Sequence, residues 1–186
     1  MLVLALLALS PARAANDPRK REPTSWDVTL SPPGEPGEPF EMSGRVLSER
    51  GVALRNTKVF VYHADSHGLY ALHAKDYVRL AAVLRTDSLG RYRFHSVFPG
   101  SYGYPPHVHF ETLSGQDAAG FVNVRKEGVW TPWPQTGVPA RRDSNGVWRV
   151  HWDLRPGYSG PVGRWYAAPE VPEFRYPSRA DSATKR

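Results

Sequence analysis

Arg91-Tyr-Arg-Phe-His-Ser-Val97 puts Tyr92, Phe94 and Ser96 on one side of an extended chain and Arg91, Arg93 and His95 on the other. That period of two is the mark of a half-buried strand, and it recurs on both sides of this stretch. Upstream, Ala82–Thr86 is a second run, joined to the first by Asp87-Ser-Leu-Gly90, whose Asp start and Gly end predict a hairpin turn. Thr57–Ala64 is dense in β-branched and aromatic residues, and Phe40–Leu47 is closed by Glu49-Arg-Gly51. Downstream come Pro106–Leu113, a weaker Phe121–Val124, and Val147–Leu154, where Trp148, Val150, Trp152 and Leu154 form one apolar face. No segment sustains a helical apolar period and no internal repeat is visible. The expectation is an all-β fold, an antiparallel β-sandwich with long loops and irregular N- and C-terminal arms.

Composition fits that expectation, since 18 prolines and 16 glycines in 186 residues favour short elements joined by turns. Residues 39–157 would form the sandwich, with 125–146 a long loop carrying Trp130 and Trp133. Residues 15–38, ending in Ser31-Pro-Pro-Gly-Glu-Pro-Gly-Glu-Pro39, read as an extended arm, and 158–186 as an irregular surface tail. The apolar run Met1–Ser10 is too short to span a bilayer and is followed by Ala12-x-Ala14. Residues 1–14 therefore read as a signal peptide cleaved after Ala14 or Ala15, although its usual basic start is missing. The chain is then secreted or periplasmic; the alternative is a disordered or buried N-terminal strand. Absence of cysteine excludes disulfide, thiolate-metal and cysteine-nucleophile chemistry. The formal charge of +6 comes partly from Arg19-Lys20-Arg21 and Lys185-Arg186 near the ends. Basic residues are otherwise scattered, which argues against nucleic acid as a partner.

One constellation can do chemistry. His107 and His109 are one residue apart on a strand, so both imidazoles face the same side. Tyr102 and Tyr104 lie just upstream, and Tyr70 follows the Thr57–Ala64 strand. Imidazole suits zinc, copper, iron and nickel, whereas a phenol ligates well only as phenolate, which a highly charged cation favours. Two histidines with tyrosines thus argue for Fe(III) over Zn(II); the alternative is a pair of hydrogen-bonded core histidines beside packing tyrosines. His63, His67, His73, His95 and His151 need no metal role; His63 and His67 flank the Tyr70 loop and read as surface or turn residues, the alternative being a place behind the ligands.

Around this pair, Thr86-Asp87-x-x-Gly90-x-Tyr92-x-Phe94-x-Ser96-x-x-Pro99-Gly100-x-Tyr102 and then Pro106-His107-x-His109-Phe110 closely resemble the signature of intradiol ring-cleavage dioxygenases. That family includes protocatechuate 3,4-dioxygenase and catechol 1,2-dioxygenase. Gly44-Arg-Val, Val59-Phe-Val-Tyr-His-Ala-Asp65 and Gly68-Leu-Tyr70 are similar to its earlier strands and first tyrosine loop. The resemblance implies a mononuclear Fe(III) held by Tyr70, Tyr102, His107 and His109, with the ligand matching Tyr102 leaving when substrate chelates and that matching Tyr70 staying. It further implies a small aromatic diol and O2 as reactants and a cis,cis-muconate-type diacid as product; a homo-oligomer is a further option. The chain departs from the pattern in three places. Tyr104 stands where active members usually carry an arginine, Gly103–Pro106 replaces a longer insertion, and the family's glutamine has no match in Gln116 or Gln135. Arg85 or Arg91 are candidates to supply the missing cation. The alternative function is a non-catalytic, secreted binding module of the same family; a cupin-like or copper site lacks the further His and carboxylate at suitable spacing.

Overall fold

The computed structural model describes residues 17–23, 25–71, 78–113, 118–132, 137–155 and 166–167. Among them are a 3-10 turn, Pro18–Lys20, and ten strands: β1 (Asp27–Thr29), β2 (Pro39–Arg45), β3 (Lys58–His63), β4 (Leu80–Arg85), β5 (Arg91–Val97), β6 (His107–Thr112), β7 (Ala118–Lys126), β8 (Val138–Arg142), β9 (Trp148–His151) and β10 (Tyr166–Ala167). Hydrogen bonding runs in the order β1-β5-β2-β9-β8-β7-β6-β3-β4, with β10 beside β7. The Arg85 N–H bonds the Ser25 carbonyl at 2.9 Å, so the two ends of the sheet nearly meet.

The all-β class agrees with the sequence, but the pairing is mixed rather than antiparallel. β1 with β5, β2 with β9 and β7 with β8 are parallel. Parallel neighbours leave no hairpin signature in the sequence, because their partners are far apart along the chain. Asp87–Gly90 does form a tight turn, with Asp87 Oδ1 accepting from the Leu89 and Arg91 N–H groups. It joins no hairpin, however: β4 pairs with β3, and β5 pairs with β2 and β1, so the turn carries the chain across the core. Residues 125–146 are not all loop, since they contain β8. The stretch read as an arm contributes β1, which lies along Arg93–His95 of β5. Residues 1–16 and most of 158–186 lie outside the described residues.

Alternation decides what the sheet buries. Phe40 and Met42 of β2, Tyr92 and Phe94 of β5, Val59 and Val61 of β3, and Val108 and Phe110 of β6 all point into one cluster. Each such large apolar side chain contributes about 1.5–3 kcal/mol on leaving water. The Tyr92 hydroxyl donates to the Trp152 carbonyl at 2.8 Å, so this buried phenol carries no unmet donor. His63 also sits on the core side, fully buried, with Nε2 against Ser96 Oγ at 2.8 Å and Nδ1 against the Ala64 carbonyl at 2.6 Å. It is a core residue, not the surface or turn histidine that its loop-end position suggests. His67 is exposed and His73 lies outside the described residues.

Candidate functional site

On β6 the inward residues are Val108, Phe110 and Thr112, so His107 and His109 face away from the core cluster. Two loops roof this outer face, residues 64–70 after β3 and 98–106 after β5. Asp65 shapes the first: its Oδ1 accepts from the His67 and Leu69 N–H groups at 2.9 and 3.0 Å. Its backbone carbonyl accepts from Gly100 at 2.8 Å, tying the loops together. They approach so closely that a Cβ on Gly100 would lie 2.5 Å from the Ser66 carbonyl oxygen, and Gly68, at φ +82°, would meet the Ser101 carbonyl at 2.7 Å. Beneath the first loop Arg79 pairs with Glu35 and Asp65, and its N–H bonds the Tyr70 carbonyl at 2.8 Å.

This scaffold brings all four residues singled out in the sequence to one point. Tyr70 Oη lies 2.9 Å from Nε2 of both His107 and His109 and 3.1 Å from Tyr102 Oη. Tyr102 Oη lies 3.1 Å from His107 Nε2. His107 Nδ1–H donates to the Pro105 carbonyl at 2.7 Å, which fixes the tautomer and turns the Nε2 lone pair toward the phenols. Burial lowers the His107 pKa, and burial with the neighbouring His107 and His63 brings His109 down to about 3. Both imidazoles are therefore neutral donors at ordinary pH.

The donor chemistry fits a cation. Two phenolic protons are available to four heavy atoms whose lone pairs converge, and a metal ion would replace those protons with one shared charge. Hard phenolate oxygen beside imidazole suits ferric iron. Among the described residues no cluster of three or more His, Cys, Asp or Glu could hold a metal, so a centre here depends on its tyrosines.

The site also includes residues the sequence reading passed over. Tyr62, cross-strand from His109, stacks on its imidazole at 4.5 Å and 3°. Phe121 of β7 stands against both imidazoles, 5.3 Å from His107 and 5.9 Å from His109. Period-two alternation places Tyr62 on an outer face, but its partner depends on strand order, which the sequence does not reveal. Tyr104 is 62% exposed, with its ring 5.7 Å from that of Tyr102. Neither candidate arginine reaches the site. Arg85 bonds Asn56 and Glu22, and Arg91 bonds Asp87 and covers Trp26. Gln116 and Gln135 lie outside the described residues, as does Trp133. Trp130, in the stretch read as a long loop, is 84% exposed and borders a cavity of about 370 Å³ that Pro105 and Pro106 also line.

Comparisons with known proteins bear on the family and the fold. The family model Dioxygenase_C, described as a dioxygenase, matches residues 10–125, more than half of the chain. Catechol 1,2-dioxygenase 2 of Acinetobacter lwoffii is 38% identical over 84 residues, covering 44% of this chain and 30% of that protein. The protocatechuate 3,4-dioxygenase beta chain of Burkholderia cepacia is 38% identical over 94 residues, 41% of this chain and 40% of its own. The chain thus spans well under half the length of these two relatives. The solved dioxygenase domain of a dioxygenase carbohydrate-binding protein fusion from Streptomyces sp. SirexAA-E superposes with a TM-score of 0.54 at 17% identity, covering 73% of this chain and 90% of that one. The family model, the two relatives and the shared fold lead to one assignment: the chain belongs to the intradiol ring-cleavage dioxygenase family.

Proposed function

We propose that the protein is an Fe(III)-dependent intradiol dioxygenase that cleaves a catechol-type ring between its two hydroxylated carbons, taking both atoms of O2 into a cis,cis-muconate-type diacid. The observation that carries this reading is the convergence of Tyr70, Tyr102, His107 and His109, every Nε2 and Oη among them within 2.9–3.1 Å of at least one other. When bound, ferric iron supplies the Lewis acidity that gathers both catechol oxygens and makes the ring reactive toward dioxygen.

The chain's own residues divide the remaining work. Tyr70 is buried and its Oη reaches three partners, which suits a donor that stays in place. Tyr102 is half-buried, its Oη bonds Tyr70 and His107, and open-sided Gly103 follows it. That suits the donor that withdraws and holds a proton at its Oη as a substrate hydroxyl gives one up. Phe121 and Tyr62 cover the imidazoles and keep water from their faces. Tyr104 offers an uncharged aromatic edge beside Tyr102, which favours a neutral diol over an acidic one.

A second reading, a metal-binding but non-catalytic relative, is favoured by one observation: Tyr104 stands where the family's arginine is expected, and Arg85 and Arg91 are engaged elsewhere. Visible spectra of iron-loaded protein, before and after adding catechol, with oxygen uptake followed in parallel, separate the two. A tyrosinate-to-iron band with oxygen consumption supports the dioxygenase; the band without consumption supports the relative; a colourless protein overturns both. We also propose export to the periplasm or medium, supported by the Met1–Ser10 apolar run followed by Ala12-x-Ala14. N-terminal sequencing of protein recovered outside the cytoplasm, starting at Ala15 or Asn16, tests it.

A further inference from the structure

His109 differs from its partner histidine in what holds it. The His107 ring is fixed by its Nδ1–H bond to the Pro105 carbonyl. The His109 ring instead lies flat on the phenol of Tyr62, 4.5 Å between centroids and 3° from parallel, the flattest of the aromatic pairs among the described residues. Tyr62 is the residue directly across β3 from His109, so the sheet's register aligns the two Cα atoms and the shared outer face aligns the two rings. The same phenol meets Tyr70 edge-on, at 6.0 Å and 64°. One side chain thus touches the rings of two of the four converging residues. Phe60 backs it in turn, with ring centroids 5.2 Å apart.

We propose that Tyr62 is the positioning residue that sets the plane of the His109 imidazole and so aims its Nε2 at the point shared with Tyr70; this rests on the metal-centre reading above. A planar ring pressed on a planar ring loses rotation about its Cβ–Cγ bond, so the stack does for His109 what the Nδ1–H bond does for His107. The face of a phenol is electron-rich, and an imidazole that gives its lone pair to a cation becomes electron-poor. The stack therefore tightens on metal binding and favours the loaded state, beyond holding the ring still. A branched aliphatic side chain could fill the volume but supply neither effect.

The test uses Tyr62→Phe, Tyr62→Trp and Tyr62→Leu in the full chain, read in two ways. In metal-free protein, nuclear magnetic resonance of the histidine rings is expected to show the His109 carbon-bound protons shifted upfield by the Tyr62 ring current. That shift persists in Tyr62→Phe and Tyr62→Trp and is lost in Tyr62→Leu. With ferric iron alone, chelator competition is expected to give about a 10- to 100-fold loss of affinity in Tyr62→Leu, the range typical of residues that orient a metal ligand. Tyr62→Phe should lose less, and Tyr62→Trp should match the wild type. Unchanged His109 shifts in Tyr62→Leu, or an iron affinity equal to wild type in that variant, overturns the proposal. Should the wild-type protein bind no ferric iron, the metal-centre reading fails, and the ring shifts still decide whether Tyr62 sets the plane of His109.

Discussion

Arg79 donates to Asp65 Oδ2 at 3.0 Å from beneath the loop that carries Tyr70, and the same guanidinium clasps Glu35. The two carboxylates keep only 7% and 6% of their side-chain surface, against 26% for the arginine. Arg79→Ala leaves both acids without their counter-charge, and is expected to cost about 3 kcal/mol. Arg79→Lys should recover only part of this, because an ammonium cannot match the fork of a guanidinium. Urea denaturation checks both; a loss under about 1 kcal/mol in the alanine variant would remove this network from the account of how Tyr70 is held.

Gly100 tests the contact between the tyrosine loops. Its backbone needs no left-handed conformation, so the penalty of adding a methyl group is steric alone, 2.5 Å from the Ser66 carbonyl and 2.6 Å from the Gly68 nitrogen. Gly100→Ala should destabilise by about 1–3 kcal/mol and weaken iron binding, because the strain falls between the segments bearing Tyr70 and Tyr102. Gly128→Ala, at φ +75° with open space around it, is the control: a small backbone cost and no change in iron binding.

Acid should weaken the metal-free protein through His63. Burial holds its pKa down to about 4, below the ordinary 6.5. Above pH 6.5 the side chain is neutral folded or unfolded and makes no difference. As pH falls from 6.5 toward about 4, the unfolded chain gains a proton that the fold refuses. Stability then drops by about 1.4 kcal/mol per pH unit for this residue. Below that window both states are protonated and the drop ends. His107 and His109, also lowered, act in the same direction. Urea midpoints measured across this range should fall more gently in His63→Gln, and an identical slope would contradict the assignment.

The two phenols should differ. Among the described residues, Tyr70→Phe removes an Oη that meets three partners and Tyr102→Phe one that meets two. Iron affinity is expected to fall further in Tyr70→Phe, while both variants shift the visible band. Chelation of iron should lower the melting temperature of the wild type more than that of either variant, since only ligand bound to the native state adds stability.

Tyr104→Arg restores a cation at the mouth. If turnover is limited by charge developing on the substrate, kcat/KM on catechol should rise by about tenfold or more, the scale of one well-placed electrostatic donor. A rise in iron affinity without any rise in oxygen uptake would point to the non-catalytic relative.

What the sequence made legible follows from periodicity. Arg91–Val97 appears as a strand with the bounds read from its alternation, and the one-face rule for His107 and His109 holds in β6. β8 escaped because Val138-Pro-Ala-Arg-Arg142 has no alternation and carries a proline, tolerated where β8 pairs with β9 only through Arg141 and Arg142. β1 is three residues long in a polar stretch, too short for any pattern to register. Tyr70 was found through its motif, not through spacing, since 37 residues separate it from His107. Glu35, Arg79 and Tyr62 support the site through tertiary and cross-strand contacts, and nothing local in the chain announces those.

The brevity of the Gly103–Pro106 connection has a kinetic consequence. Pro106 is anchored by its carbonyl to the Val124 N–H at 2.8 Å, and Pro105 by its carbonyl to His107. Two prolines pinned at that end leave little slack, so the segment cannot swing as a flap without dragging His107 along. Any withdrawal of Tyr102 is then a rotation of one side chain about its own bonds, which must break its contacts with Tyr70 and His107 but need not wait for a lid to open, an event of about microseconds or longer. On the function proposed above, entry to this centre would be set by a latch the size of a single ring.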